Sequence, residues 1–192
     1  MSICNSETSG VETKILDAAA ECVLAYGLER TTMTEIARRA GVSRPTIYRR
    51  WPDIRSVIAE LLTVRIAGVL EDVPDRRVGR EALVERVIAV AERLRNDEVV
   101  MSVIVGAPNV AMVYIAERLG TSQKLLVDAL AEGIKAAQHD GSVRLGDPRQ
   151  MGAMCLLITQ STIQSAHMVE ALLDSRALTI ELAHSLNGYL KP

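Results

Sequence analysis

Phenylalanine is absent from this chain of 192 residues, and one tryptophan and four tyrosines carry all of its aromatic surface. Cysteine is scarce as well: Cys4, Cys22 and Cys155 are odd in number and have no paired spacing. That excludes a disulfide framework and points to a reduced, cytoplasmic protein. The opening MSICNSETSG has neither a basic start nor an apolar stretch, so no signal peptide is expected. Long apolar runs are missing too. The nearest is residues 99–116, free of charged side chains but interrupted by Gly106, Pro108 and Asn109. Two short buried helices meeting at a break fit it better than a membrane span. Strand signals, internal repeats and low-complexity tracts are not seen.

What remains is helix. Apolar residues make up 48% of the chain, enough for a core, and they recur at helical spacing. The expected fold is all-α, with about nine helices: an N-terminal three-helix helix-turn-helix domain, a linking helix, and a C-terminal helical bundle. A flexible tail is expected over residues 1–10, the first domain with its linking helix over 11–71, and the second domain over 72–192. The first helix, residues 11–26, carries Ile15, Ala18, Ala19, Cys22 and Tyr26 on one stripe and stops at Gly27. Thr32 and Glu35 form a capping box for the second, in which Ile36, Ala37 and Ala40 face inward, and Gly41 ends it. Ser43 caps a short third helix with Pro45 in its first turn, where a missing N–H costs nothing. Asp53 caps a fourth, bearing Val57, Ile58, Leu61, Leu62 and Val69, which DVPDRR breaks near residue 71. Beyond it the pattern predicts a helix over 78–96, an apolar pair around Pro108, and a long segment to His139 kinked at Gly120. The loop HDGSVRLGDP follows, then a helix from Asp147 and Pro148 to about residue 174, and a last helix with Leu178, Leu182, Leu186 and Leu190.

Charge is unevenly spread. Residues 28–55 hold seven arginines against three acids, a window of +4 on a chain of net −2. A basic segment on an acidic chain suggests a local anionic partner. The stretch GVSRPTIYRRW, residues 41–51, explains where two of the few aromatics go. At about 100° per residue, Ile47 and Trp51 lie on the core side of the third helix, while Pro45, Thr46 and Arg49 point away. Arg44 and Tyr48 sit on one flank and Arg50 on the other. Two short helices joined by a tight turn, basic and preceded by a packing helix, have the layout that places a second helix in the major groove. Arginine pairs with guanine acceptors, Thr or Pro carbons pack on a thymine methyl, and Tyr48 offers its hydroxyl to a phosphate.

On the residues TTMTEIARRAGVSRPTIYRRWPD and the preceding ILDAAAECVLAYGLERTT, the sequence resembles the tetracycline-repressor (TetR) family of bacterial transcription regulators over about residues 13–62. The resemblance implies a homodimer, each subunit offering one helix-turn-helix to half of a near-palindromic DNA operator. Carried over, it makes Thr32 and Tyr48 phosphate contacts and Thr34, Arg44, Pro45, Thr46 and Arg49 base contacts. Ser43 and Arg50 complete the expected DNA-facing set. Where the family often has a lysine at the start of the fourth helix, this chain has Ile54 followed by Arg55. Either Arg55 takes over that phosphate or the contact is lost.

For residues 72–192 the resemblance implies a helical cage for a small inducer and dimerisation through the last two helices. The helix from Asp147 is apolar around most of its girth and needs cover on more than one side. Ile158, Thr162, Leu182 and Leu186 are the expected interface. Methionines adapt to irregular apolar shapes, and buried polar groups need partners. Met101, Met112, Met154, Tyr114, Gln123, Gln160 and His167 are therefore the expected pocket for a hydrophobic ligand. Little speaks for catalysis: ELAH, ending in His184, is a carboxylate and imidazole pair with no matching second pair, and neither H-E-x-x-H nor a phosphate-cradling loop is present. No cofactor or metal is expected. The expected function is a ligand-responsive DNA-binding regulator, most simply a repressor; an all-α ligand-binding or enzymatic dimer that only retains such an N-terminus is the alternative.

Overall fold

The computed structural model describes residues 3–74, 77–106 and 120–192, which contain nine α-helices and no strand. The chain forms two compact units: Met1–Arg65 with Asp97–Thr121, and Ile66–Asn96 with Ser122–Pro192. The boundary thus falls inside the fourth helix rather than at its end.

In the first unit, α1 (Ile3–Tyr26) is followed by a 3-10 turn, Leu28–Arg30, then α2 (Met33–Ala40), α3 (Arg44–Tyr48) and the start of α4 (Ile54–Asp72). The tail expected over 1–10 is helical from Ile3; its polar residues carry no apolar stripe, and that stripe was the signal used to place the helix start. Ile15, Ala19, Cys22 and Val23 of α1 bury against Ile36, Ile47, Trp51, Val57 and Ile58. Each buried Ile or Val side chain among these stabilises the fold by about 1.5–3 kcal/mol. Tyr26 leaves the expected stripe: it is exposed, and its hydroxyl accepts a hydrogen bond from Arg39 at 3.3 Å while the Arg39 guanidinium stacks on its ring. A short helix, α6 (Glu98–Gly106), joins this unit by adding Val99 and Val103 to its core. Asp97 caps α6, accepting the Val99 and Val100 N–H groups at 3.0 Å, and pairs with Arg65 of α4 at 3.2 Å. The remainder of the apolar pair around Pro108 lies outside the described residues, and no described helix is long and apolar enough to cross a membrane.

The second unit holds α5 (Arg80–Asn96), α7 (Thr121–His139), α8 (Pro148–Ser165) and α9 (Ser175–Leu190). Its core is Leu83, Val84, Ile134, Met151, Cys155, Leu182, Leu186 and Leu190 with their neighbours. Leu182 and Leu186 were expected at a dimer interface, but they are 6% and 0% exposed in the single chain, so they hold α9 to its own bundle. Asp147 caps α8 as expected, accepting the Gln150 N–H at 2.9 Å. The helix ends at Ser165, short of residue 174, and passes into a 3-10 turn, Ala166–Met168. Met168 and Leu172 beyond it are 75% and 85% exposed, so the apolar pattern there has no burial to hold a straight helix.

Gly152 marks the crossing of α8 and α7. A Cβ built there would sit 3.1 Å from the Val127 carbonyl oxygen and 3.3 Å from the Ala131 nitrogen, both backbone atoms that do not yield easily. Gly152→Ala is expected to destabilise the protein by about 1 kcal/mol, overpacking outweighing the gain in helix propensity, as read from the denaturant midpoint.

Candidate nucleic-acid interface

The turn between α2 and α3 is built by local chemistry. Thr32 caps α2, its hydroxyl oxygen accepting the Glu35 N–H at 3.2 Å. The box is half made, because the Glu35 carboxylate turns to Arg38 and takes two bonds from it, at 3.0 and 2.6 Å. Those bonds hold the Glu35 carboxyl below its ordinary pKa. Gly41 ends α2 at φ +67°, a left-handed conformation that side chains disfavour, and so lets the chain turn sharply into α3. Ser43 caps α3, accepting the Thr46 N–H at 3.4 Å, and the Ser43 and Thr46 hydroxyls hydrogen-bond at 2.8 Å.

Packing then orients the helix. Ile47 is fully buried and Trp51 is 2% exposed, which leaves Arg44, Pro45, Tyr48 and Arg49 on the exposed side, with Thr46 half-buried. Thr32 and Thr34 at the start of α2, and Ser43 at the start of α3, are exposed. The expected DNA-facing residues of the turn are therefore exposed apart from Thr46, and Ser43 and Thr46 share their hydroxyls.

The basic window is far from uniformly free. Arg38 pairs with Glu35, Arg39 with Glu21, and Arg50 with both Glu12 and Glu60. By contrast, Arg44 and Arg49 have no carboxylate partner among the described residues. Positive charge is thus left uncompensated at the two ends of α3, on Arg44 and on the capping Arg49, where a polyanion gains most from it. Arg50, expected on the DNA-facing flank, instead reaches across to Glu12 of α1 at 3.0 Å and Glu60 of α4 at 3.1 Å, its guanidinium near the Trp51 ring. The Trp51 indole N–H donates to Glu60 at 2.8 Å. Glu12 and Glu60 escaped the sequence reading because they lie outside the basic window and meet it only through the fold.

At the start of α4, Ile54 is half-buried and packs on the core, so the position has become apolar filler; Arg55 beside it is exposed. Asp53 caps α4, accepting the Ser56 N–H at 2.8 Å and hydroxyl at 2.7 Å. These bonds, with the Arg55 charge, depress its pKa. A depressed carboxyl contributes stability that is complete above the unfolded pKa of about 4 and fades as pH falls through the lower folded value. Asp53→Ala is expected to cost about 0.5–2 kcal/mol at neutral pH, the gap in thermal midpoint closing in acid.

Of the expected ligand residues, two meet within the second unit. Gln123 on α7 donates to Gln160 on α8 at 3.2 Å. Met154, six residues before Gln160 and so about 240° round the helix from it, is exposed, as is His167 in the 3-10 turn beyond the helix. Met101 belongs to the first unit, and Met112 and Tyr114 lie outside the described residues. Ile158 is half-buried on the second unit's core, and Thr162, expected at the dimer interface, donates its hydroxyl to the Ile158 carbonyl. Thr162 also lines a shallow cleft with Ile88, Ala91, Ile163 and Leu178. Cys22 and Cys155 are buried and free, and burial pushes the Cys155 thiol up to about 11, so it is no thiolate nucleophile at neutral pH. Among the described residues no three acidic, histidine or cysteine side chains converge as metal ligands.

Residues 15–61 match the family described as bacterial regulatory proteins, tetR family. An uncharacterized HTH-type transcriptional regulator of Mycobacterium tuberculosis is 56% identical over 190 residues, covering 99% of this chain and 98% of the relative. Among solved structures, Thermus thermophilus FadR, a TetR-family transcriptional repressor in complex with lauroyl-CoA, superposes with a TM-score of 0.69 at 25% identity, covering 93% of this chain and 92% of FadR. The TetR-family transcriptional repressor QsdR of R. erythropolis superposes at 0.68 with 17% identity, covering 96% and 97%. A glycine-turned helix pair with its unpaired arginines outward, and identity to a regulator along nearly the whole chain, lead to one conclusion: the protein belongs to the TetR family of transcriptional regulators and carries its DNA-binding helix-turn-helix.

Proposed function

We propose that the protein is a ligand-responsive repressor, acting in the cytoplasm, that binds a near-palindromic operator as a homodimer and is released by a small hydrophobic inducer. The observation that carries it is the charge state of α3: Arg44 and Arg49 are exposed and unpaired among the described residues, while Arg38, Arg39 and Arg50 are tied to carboxylates. Arg44 and Arg49 serve base readout, and Thr32 and Tyr48 hold phosphates.

Repression and a hydrophobic inducer are supported by FadR, named a repressor and bound to lauroyl-CoA. A second copy is supported by Met154 and Leu157 of α8 and Ile180 of α9, which stay 43%, 60% and 46% exposed in the single chain. An inducer releases DNA only by binding the DNA-incompetent shape better than the competent one. Sedimentation of the purified protein with and without its selected duplex tests the dimer: one dimer per two-fold symmetric site is expected, and a monomer on a single asymmetric site would contradict it.

A further inference from the structure

We infer that Glu60 is a positioning residue for DNA reading: it fastens the recognition helix to α4 through the Trp51 indole and the Arg50 guanidinium, so that Arg50 serves the protein's own geometry rather than a DNA phosphate. The inference rests on the DNA-reading role of α3.

Three observations meet at this point. Helix α3 spans only Arg44–Tyr48, too short to hold its own direction, so its aim is set by what its C-terminal end is fastened to. Apolar burial of Ile47 and Trp51 keeps it on the core but has no directional preference. The directional bonds come from carboxylates: one Glu60 oxygen accepts the Trp51 indole N–H at 2.8 Å, the other accepts from Arg50 at 3.1 Å, and Arg50 continues to Glu12 of α1 at 3.0 Å. Two helices, α1 and α4, are thereby tied to the end of the reading helix.

Magnitudes decide which bond matters most. Arg50 is 52% exposed and Glu60 32%, so their ion pair is screened and contributes little by itself. The indole N–H belongs to a side chain that is 2% exposed, and a buried donor left without an acceptor is costly. Glutamine at position 60 keeps an acceptor for the indole and loses only the charge; leucine loses both. Charge also gives the effect its sign. A carboxylate close to a DNA-binding surface repels phosphate, so removing an idle one strengthens binding to every duplex. Removing a positioning one weakens binding to the chosen sequence alone.

The experiment uses the full-length protein and three variants, Glu60→Gln, Glu60→Leu and Arg50→Gln. Each is titrated with the duplex that the wild-type protein enriches from random DNA and with a scrambled duplex of equal length, over a range of salt. Glu60→Leu is expected to lower the preference for the enriched duplex about 10-fold or more, and Glu60→Gln by less, with binding to the scrambled duplex unchanged or tighter. The emission of Trp51, the chain's one tryptophan, should shift in Glu60→Leu and return toward wild type in Glu60→Gln. Arg50→Gln should weaken the enriched duplex while leaving the salt slope as in wild type. If Glu60→Leu does not fold, Glu60→Gln and Arg50→Gln decide the matter alone. Equal tightening on both duplexes in Glu60→Gln, or a fall of about 1 in the Arg50→Gln salt slope, would overturn the inference while leaving DNA reading intact. Failure of the wild-type protein to enrich any duplex would overturn the DNA reading, and this inference with it.

Discussion

Replacing Trp51 by alanine is expected to destabilise the helix-turn-helix unit by about 3–5 kcal/mol, much of what a small domain has. The side chain is 2% exposed and sits among Ile15, Ile47, Val57 and Ile58, in a core without a phenylalanine to fill the gap. The variant also strips Glu60 of its indole donor. Trp51→Phe separates the two effects: it keeps most of the volume, loses the N–H, and should cost about 1.5–3 kcal/mol, the range for a hydrogen bond to a charged group. Chemical denaturation followed by helical circular dichroism reads both. Equal stability in Trp51→Ala and wild type would mean that the indole is not part of the core.

The second large effect is on DNA. Arg44→Ala and Arg49→Ala should each cost about 1–3 kcal/mol on the selected site, and the double variant roughly one to four orders of magnitude in affinity. Neither side chain bonds to another among the described residues, so neither substitution should move the thermal midpoint by more than about 0.5 kcal/mol equivalent. The loss is expected to be selective: one base pair of preference relaxes with each arginine, while binding to unrelated duplexes falls little. A uniform loss across all sequences would reassign the residue to a phosphate.

The helix-turn-helix was legible because its signals are local. The Thr32, Ser43 and Asp53 caps, the left-handed Gly41 and the inward pair Ile47 and Trp51 all follow from short spacings, and the structure holds each of them. What the spacing did not reveal is which arginines are spoken for. Arg39 meets Glu21 and Arg50 meets Glu12 and Glu60 across long stretches of chain, through contacts that exist only once the helices pack. The second unit was harder for the same reason. Periodicity identified Leu182 and Leu186 as one apolar face, correctly, but a face has no label saying whether a neighbour in the same chain or another copy covers it; here α9 buries it in its own bundle. The helix beginning at Pro148 kept its apolar pattern past Ser165, yet Met168 and Leu172 find no burial in the single chain.

The measurement that bears most directly on the central claim is enrichment from random duplex DNA by the wild-type protein and by Arg44→Ala, side by side at near-physiological salt. The account predicts a two-fold symmetric motif for the wild type and the same motif, relaxed at one symmetry-related base pair, for the variant. An identical motif at lower yield for Arg44→Ala, or no motif from a folded wild-type protein, would contradict readout by the exposed arginines of α3.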